Sequence, residues 1–219
     1  FATVWKSYNF ITLYKNTILM IFFRVVCACL TATMAGYAFG RLNFPGKKFF
    51  FSLILIQMMI PSQIFIIPQY IMVSKLGWLN TVAGLVFPGI VTAFGTYLLK
   101  TGYQGLPKDL EEAASIDGCS YEGIYFRIIF PLLKPSIVTV TILNGMWIWN
   151  DYLLPSLMLG QNGRVKTLPV AVQAFVGSYV KQWDLILTAA LLAIIPMVVI
   201  FLIGQKQIMN GMVEGAVKG

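Results

Sequence analysis

Histidine is absent from this sequence, and acidic side chains are scarce, with eight Asp and Glu among 219 residues. Without an imidazole, Ser-His-Asp and Cys-His catalysis are excluded, as are most zinc sites. Charged residues of both signs make up 11% of the chain, against about a quarter in soluble domains. That is too little charge for a water-facing surface of this size, so neither an ordinary soluble domain nor a disordered chain fits. The three cysteines, Cys27, Cys29 and Cys119, have no paired spacing and give no disulfide framework. No GxxxxGK[ST] phosphate loop is present; Gly46-Lys47-Lys48 is only a basic loop after Pro45. The chain starts at Phe1 and shows no signal peptide.

What is abundant is apolar surface: 58% of residues are hydrophobic and the mean hydropathy is +0.78. Five long apolar segments stand out, at about Thr17–Phe39, Phe49–Val73, Thr81–Leu99, Ile128–Trp149 and Leu185–Gly204. Each is near the roughly 20 residues that a helix needs to cross a bilayer. None alternates with period 2, which argues against a membrane β-barrel. The fold class is therefore all-α: a polytopic helical membrane protein forming a single transmembrane domain over 1–219.

Basic residues give the orientation. In the short loops Arg41, Lys47 and Lys48 oppose Lys75 alone, so the loop after the first segment is expected to be cytoplasmic. A cytoplasmic loop then covers about 101–127, an external loop about 151–184 and a cytoplasmic tail about 205–219. The net charge of +8 reads as loop charge facing anionic membrane lipid, with no nucleic acid implied. This topology leaves the start of the chain outside, and the expectation is that one upstream span is missing, five being present of six.

The segments are not plain anchors. The second contains Gln57, Pro61, Ser62, Gln63, Pro68 and Gln69, and the third Pro88 with Gly84, Gly89 and Gly95. Prolines break helices, and such breaks survive in a membrane where neighbouring helices or a watery cavity satisfy the freed groups. Helix packing and a substrate path both fit. Arg24, inside the first segment, is costly there and a functional candidate by default. No acidic residue within the segments is an obvious mate for it.

Residues 106–135 read LPKDLEEAASIDGCSYEGIYFRIIFPLLKP and hold five of the eight acidic residues. Pro107 suits a first helical turn, with Asp109, Glu111 and Glu112 at the positive helix end. Gly118 fits a helix stop and Ser120 a cap for a second helix that opens with Glu122. A short helix-turn-helix on the cytoplasmic face is expected. Its acidity suits docking to a basic groove on another protein, and equally suits a solvated, well-capped loop.

This loop carries a resemblance. Glu112-Ala113-Ala114, Asp117-Gly118, Ile128 and Pro131 resemble the EAA motif of ABC importer permeases, with Phe130 in place of the usual leucine before the proline. The segment Trp149-Asn150-Asp151-Tyr152-Leu153-Leu154-Pro155, with Thr167-Leu168-Pro169, Trp183 and the ending Gly215–Gly219, is similar to carbohydrate-type, maltose-like second permeases. The family's first span has no counterpart here. The resemblance implies a coupling site at Glu111, Glu112, Ala113, Ala114, Asp117, Gly118 and Pro131, docking into a cytoplasmic ATPase. It implies a homologous second permease subunit, two ATPase subunits that hold ATP and Mg, and an external solute-binding protein. No cofactor and no catalytic or metal residue is expected in this chain, which would sit, multi-pass, in a bacterial or archaeal cytoplasmic (inner) membrane.

A sugar needs aromatic faces and amide or carboxyl partners. Gln57, Gln63, Trp147, Trp149, Asn150 and Asp151 are the candidates for a substrate path. An interfacial aromatic belt is the favoured reading of the tryptophans, and Asn150 and Asp151 also suit a helix cap. The competing reading, an ion-coupled secondary transporter, would call for intramembrane acids and an internal repeat, and neither is found. A membrane enzyme lacks its histidines and clustered carboxylates.

Overall fold

The computed structural model describes residues 4–5, 9–160, 165–178 and 182–216, and among these there is no β-strand. Parts of the expected external loop (161–164 and 179–181) and the end of the tail (217–219) lie outside the described residues, and with them Lys6, Arg164, Lys181, Lys218 and the last residues of the maltose-like ending.

Two helices are long and apolar enough to cross a membrane, α1 (Phe10–Arg41) and the stretch Trp183–Gln205 of the last helix. The second, third and fourth apolar segments are bent pairs, so five spans result only when each pair counts as one. In the second segment α2 (Lys47–Met59) meets a 3-10 turn at Ser62 and α3 (Ile66–Lys75) at 101°. The cause is Pro61, which forces Ile60 into the extended region (φ −85°, ψ 127°). In the third, α4 (Val82–Val86), extended by a 3-10 turn through Pro88 to Gly89, meets α5 (Ala93–Gln104) at 47°. Thr92 caps α5, its hydroxyl accepting from the Gly95 amide at 3.1 Å.

The acidic loop forms α6 (Asp109–Ile116) and α7 (Tyr121–Ile124). A π-helical turn (Tyr125–Ile129) and Pro131 follow, and the chain bends by 71° into α8 (Lys134–Trp149). The stretch read as an external loop carries two helices, α9 (Leu153–Leu159) and α10 (Leu168–Ser178), before α11 (Trp183–Ala216). Large apolar side chains on α1 and α11, among them Phe22, Phe23, Leu187, Ile194 and Leu202, point outward. Such faces need lipid or protein cover, which fits a membrane protein.

The chain divides into two compact units. The first comprises Phe1–Val25, Ser62–Ile90 and Asn144–Ile203. Its core gathers Phe10, Leu13, Trp149, Leu168, Ala171 and Ala189. The start of α10 is tied to α1: the Leu168 amide donates to the buried Thr17 hydroxyl at 2.8 Å, and Asn16 Nδ2 donates to the Lys166 carbonyl at 3.2 Å. Tyr14 Oη donates to the Leu192 carbonyl of α11 at 2.6 Å.

The second unit comprises Val26–Pro61, Val91–Leu143 and Gly204–Gly219. Its core is aromatic, with Tyr37, Tyr103 and Tyr125 in ring contact beside Leu99, Ile129, Leu133 and Val140. Here α1 and α5 approach closely. A Cβ on Gly36 would stand 3.0 Å from Leu99 Cβ and 3.1 Å from the Lys100 nitrogen, and one on Gly40 would stand 3.0 Å from Tyr103 Cβ. This is the small-xxx-small spacing that lets membrane helices pack backbone to backbone.

Candidate functional site

The acidic loop belongs to the second unit, and its local chemistry builds it as the sequence predicts. Ser120, in extended backbone, accepts the Gly123 amide at 3.2 Å and caps α7. Gly118 has φ +79° with open space around it, so its role is the turn itself. Asp109, Glu111 and Glu112 stand in the first turn of α6, where carboxylates meet the positive helix end. Pro107 lies just before the helix rather than in its first turn, since Lys108 is the cap residue.

The two faces of α6 differ. Glu112, Ala113, Asp117 and Gly118 are exposed, as is Pro131 beyond the π-helical turn. Ala114 is buried in the aromatic core with Tyr125 and Ile129. Glu111 is turned toward its own chain: its Oε1 lies 3.3 Å from Nε of Arg41, the last residue of α1, as an ion pair. Arg41 Nη2 donates to the Leu106 carbonyl at 2.6 Å, and the arginine side chain is only 4% exposed.

The substrate-path candidates separate. Gln57 lies exposed on α2, in the second unit. Gln63 lies exposed in the 3-10 turn of the first. Trp147 is 54% exposed at the end of α8, whereas Trp149 is buried and its Nε1 donates to the Ala193 carbonyl at 3.2 Å. Trp149 is thus a core residue, not part of an open aromatic belt. Asn150 Nδ2 donates to the Met146 carbonyl one turn back, at 2.9 Å.

Asp151 corrects the sequence reading of Arg24. Arg24 Nη1 donates to Asp151 Oδ2 at 3.1 Å, and neither side chain is more than a quarter exposed. The mate lies past the end of the fourth apolar segment, so a search within the segments misses it. Gly89 shares the site: any Cβ there would collide with the Arg24 guanidinium. The other residues that sequence reasoning missed, Gly36 and Gly40 of α1, do carry a signal, a Gly-xxx-Gly pair in an apolar run.

The comparisons place this chain among the permease subunits of ABC importers, and the secondary-transporter reading falls with them. The chain belongs to the family described as "Binding-protein-dependent transport system inner membrane component", which matches residues 32–213. It is 35% identical to the "Arabinooligosaccharides transport system permease protein AraQ" of Halalkalibacterium halodurans, over 95% of this chain and 74% of the relative. It is also 35% identical to the "Probable starch degradation products transport system permease protein AmyC" of Thermoanaerobacterium thermosulfurigenes, over 100% and 80%. To the "Melibiose/raffinose/stachyose import permease protein MelC" of Bacillus subtilis it is 36% identical, again over 100% and 80%. The fold is shared with a chain of a bacterial ABC transporter involved in the import of the acidic polysaccharide alginate, at a TM-score of 0.76 and 23% identity, over 89% of this chain and 74% of the other.

Proposed function

We propose that this chain is one transmembrane half of an ATP-driven importer that brings a carbohydrate across a bacterial or archaeal cytoplasmic membrane. A homologous permease would form the other half, and an external binding protein would deliver the sugar. ATP and Mg belong on two cytoplasmic ATPase subunits. The substrate class is inferred from the relatives, whose printed names refer to arabinooligosaccharides, starch degradation products and melibiose, raffinose or stachyose.

The observation that carries the coupling reading is the exposed face of α6 and its turn. Glu112, Ala113, Asp117 and Gly118 are exposed on a two-helix loop whose second helix is capped by Ser120. The carboxylates suit a basic cleft, and the alanine and glycine leave room for close docking. Such a loop can pass a rigid-body push from a partner that changes shape with ATP. Asp151 is engaged by Arg24 and Trp149 by the core, so their part in a substrate path would be indirect. Gln57, Gln63 and Trp147 keep exposed groups.

The test is co-purification of the assembled transporter in mild detergent, with and without the double substitution Glu112→Lys, Gly118→Asp. Loss of the ATPase in the variant alone, with the permease still in the membrane, is the expected result. Equal retention with normal sugar uptake would show that this face is not the dock.

A further inference from the structure

The buried contact between Arg41 and Glu111 divides the acidic loop's residues into two roles. Arg41 ends α1; its Nη2 donates to the Leu106 carbonyl ahead of α6 at 2.6 Å, and its Nε stands 3.3 Å from the Glu111 carboxylate in the first turn of α6, an ion pair with no hydrogen bond between those two atoms. A guanidinium suits this, since its fork presents several donors in fixed directions where an ammonium offers one compact charge. The pair is shielded, with Arg41 4% and Glu111 21% exposed, so it is less screened than a surface ion pair. Around it α1 is held against α5 by the close approaches at Gly36 and Gly40.

An eight-residue helix such as α6 is too short to hold itself in place. Its far half is fixed by Ala114 in the aromatic core. Its near half is fixed by Arg41. The geometry points to Arg41 and Glu111 as positioning residues: an internal tie that fixes α6 to the end of α1, so that a push on the exposed face moves α1 rather than tilting α6 alone. Glu111 is then not a dock contact, although it neighbours Glu112. This rests on the docking reading of α6 and deepens it.

The experiment uses the complete transporter with its ATPase subunits and binding protein, reconstituted in liposomes. Glu111→Gln, Arg41→Met and the double variant are compared with the unmodified protein, and Glu112→Lys, Gly118→Asp serves as the docking control. Two quantities are read: ATPase retained on purification, and sugar moved per ATP hydrolysed. The tie predicts full ATPase retention in Glu111→Gln with sugar moved per ATP reduced on the order of tenfold, within the usual range of coupling between sites. The double variant should be no worse than Arg41→Met alone, because Arg41→Met already removes the ion pair that Glu111→Gln removes. Arg41→Lys, which keeps a charge but not the fork, should recover part of the loss.

Shedding of the ATPase by Glu111→Gln, to the extent seen in the docking control, would overturn the tie and make Glu111 a dock residue. Additive losses in the double variant would also overturn it. A docking control that keeps both ATPase and transport would instead overturn the docking reading, so the two fail separately. Should Arg41→Met not accumulate in the membrane, the partly exposed Glu111→Gln decides the question by itself.

Discussion

The Arg24–Asp151 pair and the α6–α7 turn are both polar features of an apolar chain, yet they are made in opposite ways. The turn is local. Gly118 and Ser120 act on backbone within three residues of themselves, and the parts stay open to water. The pair joins residues 127 positions apart and depends on a third, Gly89, for room. Local features are cheap to build and cheap to lose, because water can replace what is removed. A shielded charge has no such substitute, so losing its partner leaves the full cost of desolvation. If this contrast is right, the penalty for substitution should follow reach and burial rather than charge alone.

Asp151→Leu should have the largest effect. It leaves the Arg24 guanidinium, 15% exposed, without its carboxylate, at a cost of about 3 kcal/mol. Thermal unfolding of the purified complex in detergent should show the loss, and Arg24→Leu, Asp151→Leu together should restore most of it. A double variant as unstable as the single would mean that the two charges are not each other's main partner. Normal stability in Asp151→Leu with uptake abolished would return Asp151 to the substrate path.

Gly89→Ala comes next. The added methyl must displace Arg24 from its seat, an overpacking cost of about 2 kcal/mol. In the background with both charges replaced by leucine, the cost of Gly89→Ala should shrink, because the guanidinium it strikes is gone. An unchanged cost would put the strain in the backbone of the 3-10 turn and remove Gly89 from the pair.

The contrast also explains what could be read in advance. The apolar segments, the two-helix loop, the Gly118 stop and the Ser120 cap follow from composition and short spacings, and the loop carries a motif as well. The bends are half legible. Pro61, Pro88 and Pro131 mark where they fall, but the 101°, 47° and 71° angles depend on what each half packs against. Pairings across the chain were not legible. Arg24 had no visible mate because Asp151 sits beyond a segment end. Glu111 read as a twin of Glu112, because sequence does not say which face of α6 Arg41 occupies. The helices inside the stretch read from sequence as an external loop were hidden likewise, since Leu154, Met158 and Leu168 are apolar residues in a run too short to span.

Ser120→Ala tests the other side of the contrast and should have the smallest effect. The hydroxyl supplies one acceptor to the Gly123 amide at 3.2 Å, at a site open to solvent. Its loss removes a helix cap worth about 1 kcal/mol, and water can take the hydroxyl's place at the freed amide. Global unfolding should barely move. The change should appear in amide exchange, where Gly123 and Ile124 should open roughly fivefold more often, that being the factor for about 1 kcal/mol. Exchange elsewhere in the second unit should stay as it was, because the aromatic core of Tyr37, Tyr103 and Tyr125 does not rest on this cap. Faster exchange spreading through α5 and α8 would show that the turn braces the core, and the division between a cheap local feature and an expensive distant one would not hold.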